Sequence, residues 1–156
     1  MKLRIAAIGR LKSGPERTLV DDYLERGTAT GRAIGLGPLA ETELDNRSLK
    51  SANDESRALA ASLDPGARLV LLDERGKALG SRQLARQVGQ WRDEGVREAV
   101  FCIGGADGHD RSQFPQPDLM LAFGPAVFPH KLVRVMLAEQ LYRAVSILAG
   151  TPYHRD

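Results

Sequence analysis

Two short apolar runs constrain this chain more than any other feature. Leu69-Val70-Leu71-Leu72 and Ala99-Val100-Phe101-Cys102-Ile103 are continuously apolar and too short for helices. Such runs read as strands buried on both faces, which is the signature of a parallel sheet. Parallel strands need long crossovers, and helix-period segments stand between the strands here. Asp118 to Ala122 reads as a third buried strand, and Leu3, Ile5 and Ala7, alternating with Lys2, Arg4 and Ala6, suggest a first one at the N-terminus. Ala33 to Leu39 is a weak further strand, interrupted by Gly35, Gly37 and Pro38. Helix faces are carried by Leu19, Val20, Tyr23 and Leu24 up to about Gly27, by Ser48 to Leu63, and by Leu84, Val88 and Trp91 behind a Ser81 cap. The order predicts an α/β fold with a mostly parallel sheet flanked by helices.

The last third joins three unlike pieces. Phe123 to Pro129 is a loop with Gly124 and Pro125, and Lys131 to Ala149 contains neither Gly nor Pro. Leu132, Val133, Met136, Leu137, Leu141, Val145 and Leu148 recur there at helical steps, with Gly150 as the stop. The stripe is wider than one-sided burial requires, so the helix is central to a core or half of a subunit interface. Arg134, Glu139 and Arg143 read as a narrower polar strip. A tail, Tyr153-His154-Arg155, follows at once, and Pro152 restricts the directions in which it leaves the helix.

With 156 residues the chain suits one domain, residues 1–156, with a sizeable core. Its 22 basic and 20 acidic residues leave a net charge of +2, too mild to announce a nucleic-acid binder. One cysteine rules out an internal disulfide, and Cys102 reads as a small buried hydrophobe. No apolar run approaches the roughly 20 residues of a membrane span, so a cytoplasmic protein without membrane partners is expected. No His/Asp/Glu set has metal spacing, no Ser stands in a nucleophile elbow, and no Gly-Lys-Ser/Thr marks a P-loop.

In an open parallel sheet, ligands bind beyond the carboxyl ends of the strands. Three such ends are chemically distinctive: Leu72-Asp73, Gly104-Gly105 and the Phe123–Phe128 loop. Glycine there lets backbone approach a ligand closely. The Gly104-Gly105-x-x-Gly108 spacing is not that of the dinucleotide fingerprint.

Several segments occur in order along the whole chain: Leu71-Leu72-Asp73 with Gly76-Lys77, Ile103-Gly104-Gly105-x-x-Gly108, Phe128-Pro129-His130-x-x-x-Arg134-Val135, Glu139-Gln140-Leu141-Tyr142-Arg143-Ala144, and Pro152-Tyr153-His154-Arg155. Lys12 and Asp22–Arg26 fit the same pattern. Together these resemble the RlmH family of SPOUT methyltransferases, which methylate N3 of a pseudouridine in large-subunit ribosomal RNA. The resemblance implies a trefoil knot at the C-terminal end, S-adenosylmethionine as cofactor, a homodimer, and 23S rRNA within the large subunit or assembled ribosome as partner. It implies a cofactor pocket of Leu72, Gly104, Phe123, Gly124, Pro125, Ala126, Val127 and Phe128. His154 and Arg155 are then the expected base and charge stabiliser, with Tyr153 placing the base or the tail. Arg143 is an expected RNA contact, with a structural i,i+4 pairing to Glu139 as the alternative, and His130 reads as packing or capping at the helix start. Two other classes stay open: a nicotinamide or other nucleotide-binding enzyme, which would use the same strand ends, and a non-catalytic ribosome-binding or assembly module, which would need no S-adenosylmethionine.

Overall fold

The computed structural model describes residues 1–155. Five strands form one sheet in the order β2-β1-β4-β3-β5, and every pairing is parallel. These are β1 (Lys2–Ile8), β2 (Leu39–Leu44), β3 (Arg68–Ala78), β4 (Glu98–Ile103) and β5 (Leu119–Ala122). The helices are α1 (Pro15–Gly31), α2 (Ala52–Ala61), α3 (Ser81–Asp93) and α4 (His130–Leu148). Among the described residues no helix is long and apolar enough to cross a membrane.

The strand side chains alternate between two cores, as the two-residue period of a strand demands. Leu3, Ile5, Ala7, Val70, Phe101 and Ile103 face one side, where Val20 and Leu24 of α1, Val88 and Trp91 of α3, and Leu137, Leu141 and Val145 of α4 cover them. Ala6, Ile8, Leu69, Leu71, Val100 and Cys102 face the other side, against Leu59 of α2. Both faces are therefore dry, which is why the strands read as continuous apolar runs. Arg4 and Glu98 are a pair of charges buried within the strands, joined at 2.9 Å. Burial pushes the Glu98 carboxyl up, but hydrogen bonds from Arg4 and Lys2 outweigh it and hold it below its ordinary range.

Several expectations are corrected. The second strand lies at Leu39–Leu44, and Arg32–Ile34 is a 3-10 turn. Gly35 and Gly37 both take positive φ, which ends extended structure there. Helix α1 runs past Gly27, because that glycine is a packing position: a Cβ on it would stand 2.2 Å from Leu39 Cδ2. Leu19, read as inward, is 43% exposed. Helix α2 starts at Ala52, where Ser51 Oγ accepts the Asp54 N–H at 3.1 Å. Ser81 is not a cap but the first residue of α3; Gly80 precedes it, and Gln83 Oε1 accepts the Gly80 N–H at 2.8 Å.

Strand β3 also continues through Glu74-Arg75-Gly76-Lys77, a stretch that reads as a turn in the sequence. Leu72 and Lys77 both stand opposite Leu121 of β5, so the residues between them bulge out of the register. Gly76 permits the return, since a Cβ there would lie 2.7 Å from the Met120 carbonyl carbon. The bulge lifts Asp73, Glu74 and Arg75 to the carboxyl edge of the sheet.

Candidate active site

The carboxyl ends of β3, β4 and β5 enclose a cavity of about 350 Å³. Its walls are the β3 bulge, the Gly104–His109 loop, the Phe123–Phe128 loop and the first turn of α4. Leu72, Gly104, Phe123, Gly124, Ala126, Val127 and Phe128 all line it. Pro125 belongs to the same loop and is exposed, but does not line the cavity.

The Gly104 loop is tight for a local reason. Gly105 and Gly108 form a backbone bridge, with the Gly108 N–H on Gly105 O at 3.1 Å. A Cβ on Gly104 would stand 2.8 Å from Gly108 O and 3.2 Å from His109 Cε1, so a side chain there displaces the loop itself. The loop is moored on its far side to α2. Ser56 Oγ accepts the Asp110 N–H at 2.8 Å, and Asn53 Nδ2 donates to Asp110 Oδ2 at 2.8 Å.

Sequence reading marked Asp73 only as a strand end and missed Asp107, His109, His130 and Val133 as lining residues. His130 is exposed at the start of α4 and faces the cavity, so its reading as packing is corrected. His109 packs edge-on to Phe114, with ring centroids 5.5 Å apart. Its Nε2 lies 3.2 Å from Cys102 O, which only accepts, so Nε2 carries the proton. Burial pushes the His109 pKa down, opposed in part by the Cys102 carbonyl and Asp73. The ring is a neutral wedge behind the loop. Its signal in the sequence was its place at the end of a Gly-rich turn, which spacing alone does not interpret.

The tail occupies another place. Gly150, at φ +68°, ends α4, and the Thr151 N–H closes back on Ser146 O at 3.0 Å. The Tyr153 ring then packs on Tyr142 with centroids 4.5 Å apart, and its hydroxyl donates to Glu139 Oε1 at 3.0 Å. Arg26 of α1 lies over Tyr142 at 4.5 Å, and Arg143 over Tyr153 at 4.7 Å. Arg143 Nη1 is 3.2 Å from His154 Nδ1. Burial first, then Glu139, push the Tyr153 phenol above its ordinary value, so it stays protonated.

Tyr153, His154 and Arg143 are thus brought together, whereas Arg155 is exposed beside them. None of residues 153–155 lines the cavity of its own chain. Arg143 is engaged by Glu139, with its Nε 2.9 Å from Oε1. The polar strip is corrected as well. Arg134 lies roughly 140° around the helix from Glu139 by the α-helical period, and is 4% exposed. It donates to Glu43 Oε1 at 2.7 Å and to Gly9 O at 3.1 Å.

The carboxyl edge of a parallel sheet thus carries a loop-built pocket, and a polar tail is docked on the last helix. The sequence model of a family described as predicted SPOUT methyltransferases matches residues 1–154, and the chain belongs to that family. Among its relatives, the ribosomal RNA large subunit methyltransferase H of Maricaulis maris (strain MCS10) is 88% identical over 156 residues, the whole of both chains. Proteins of the same name from Mesorhizobium japonicum and Ruegeria pomeroyi are 52% and 50% identical, each aligned over 99% of both chains.

Proposed function

We propose that this protein transfers a methyl group from S-adenosylmethionine to N3 of a pseudouridine in 23S ribosomal RNA, in the cytoplasm, as a homodimer. The observation that carries the reading is the strand-end cavity in a chain so close to named rRNA methyltransferases. Its volume of about 350 Å³ falls within the range of small-molecule sites. The Gly104 cradle would admit an adenosine edge against backbone, and Asp73, Glu74 and Asp107 supply negative charge suited to a cationic donor. Leu72, Gly104 and the Phe123–Phe128 loop would hold the donor, which supplies an activated methyl group on a sulfonium. A C-terminal trefoil knot belongs to the same reading.

The chain's own task is to position the acceptor and manage its proton. N3 must lose a proton as it is alkylated, and charge spreads to the flanking carbonyl oxygens. His154 is the proton acceptor or relay. Arg155 stabilises the developing charge, and Tyr153, held as a neutral phenol, anchors the tail. Arg143 reaches RNA only through whatever its bonds to Glu139 and His154 leave available. Since the tail lines no part of its own cavity, a second copy brings tail and cavity together.

The test is methylation of ribosomes from a strain lacking this gene, with labelled S-adenosylmethionine, followed by mass mapping of the 23S rRNA. One methyl group on a pseudouridine is the expected result. Label on another nucleotide, or none, would refute the assignment. A ribosome-binding module without catalysis would bind the particle yet transfer nothing.

A further inference from the structure

Glu139 is the point at which the tail is held. It stands on the third turn of α4, and both of its carboxylate oxygens are occupied. Oε1 accepts from Tyr153 Oη at 3.0 Å, from Arg143 Nε at 2.9 Å, and from Arg143 Nη2. Oε2 accepts from Gln140 Nε2 at 2.7 Å. Gln140 Oε1 in turn accepts from Ser81 Oγ at 2.8 Å, so the first residue of α3 fixes the carboxylate from behind. Beyond the Gly150 turn the tail forms neither helix nor strand, only a turn at residues 152–153, and side-chain contacts hold it against α4.

We propose that Glu139 is the positioning residue of the methyl-transfer step, setting the stance of Arg143 and Tyr153 and, through them, of the His154 imidazole. The inference rests on the reading of the tail as catalytic equipment. The chain of contacts has a chemical consequence. Glu139 holds the Arg143 guanidinium, and Arg143 Nη1 donates to His154 Nδ1 at 3.2 Å. A guanidinium only donates, so Nδ1 accepts and the proton of the neutral imidazole sits on Nε2. In this stance the one accepting nitrogen of His154 is covered by Arg143, so the imidazole takes a proton only when Arg143 moves off Nδ1, and Glu139, which grips Arg143, governs that release. The charge of Glu139 matters as well as its shape. An amide in its place would turn a donor toward Arg143 or Tyr153, and Arg143 would lose its only carboxylate partner among the described residues. Glu139 also lines a second depression, of about 530 Å³, which shares Ala122, Phe123 and Gly124 with the cavity wall. It therefore stands between the donor pocket and the tail without lining the pocket.

The experiment compares wild type, Glu139→Gln, Tyr153→Phe and a chain lacking residues 153–156. Donor affinity is measured by calorimetry with S-adenosylhomocysteine, and transfer by single-turnover methylation of ribosomes at saturating donor. Glu139→Gln should slow transfer about 10- to 100-fold while donor affinity stays within about twofold, the pattern of an interaction made only at the reacting centre. Tyr153→Phe, which removes a hydroxyl and no charge, should slow it about 3- to 10-fold and guards against misfolding of the first variant. Wild-type rates in both would overturn the inference, as would a rate loss matched by equal loss of donor affinity, which marks general damage. The truncated chain separates the two levels. If it transfers at the wild-type rate, the tail reading fails and the inference with it. If it is slow while Glu139→Gln is fast, the inference alone fails.

Discussion

At the scale of single residues, Gly104 shows that a glycine at a pocket can be required by the protein before any ligand arrives. Its backbone is not in the left-handed region, so conformational freedom is not the reason. The reason is space: Gly108 O lies 2.8 Å from where a Cβ would be. Gly104→Val should therefore push the Gly104–Gly108 loop outward and abolish donor binding, while the strands beneath it stay folded. Calorimetry with S-adenosylhomocysteine checks this, and unchanged affinity would remove Gly104 from the site. Cys102, two residues earlier, is the contrasting case. It is fully buried, and burial pushes its thiol up to about 12, so it is packing and not chemistry.

At the scale of elements, α4 does two jobs on opposite faces. One face carries Glu139 and Arg143 toward the tail. The other carries Arg134 into a buried ionic cluster at the ends of β1 and β2. Arg134 meets Glu43 at 2.7 Å and Glu41 at 3.3 Å, and Arg17 of α1 meets Glu41 at 2.5 Å. Glu43 Oε1 also accepts the Leu11 N–H at 2.7 Å, so the β1–α1 loop is tied to the same charges. This cluster fixes the start of α4, and with it His130 and Val133 at the cavity rim. Arg134→Met should leave two carboxylates facing each other with Arg17 alone, costing about 3–5 kcal/mol. Urea unfolding should show the midpoint falling with little change in slope. A loss below about 0.5 kcal/mol, the level of an ordinary surface substitution, would show the cluster to be dispensable.

At the scale of the whole molecule, the separation of cavity and tail within one chain is the main fact to explain. Leu19 on α1 and Leu132 on α4 are 43% and 45% exposed, and the second depression opens between Tyr23 of α1 and Met136 of α4. Apolar surface of that kind favours association, and a twofold interface would bring each tail to a partner's cavity. Light scattering at micromolar concentration should therefore report twice the chain mass of 17.0 kDa. A monomer with full methyl-transfer activity would refute the shared site.

The sequence by itself determined the parallel α/β class, because strands buried on both faces must be apolar at every position and say so in one dimension. It determined α4, since nineteen residues of helical period need no partner to be recognised. It also marked the three strand ends, where apolar runs stop at Asp73, Gly104 and Gly124. Only the tertiary structure decided the rest. The β3 bulge depends on where β5 passes Gly76, and the place of Leu39–Leu44 as a strand depends on pairing with β1. Arg134, Glu139 and Arg143 look alike as charges on one helix. Which of them turns inward is settled by Glu41 and Glu43, some ninety residues earlier. His109 and Glu139 gain their roles from carbonyls, amides and guanidinium groups supplied by other turns and elements. Patterns of burial repeat along the chain and can be read there; the direction of a single polar side chain is fixed by partners that the fold alone brings within 3 Å or so.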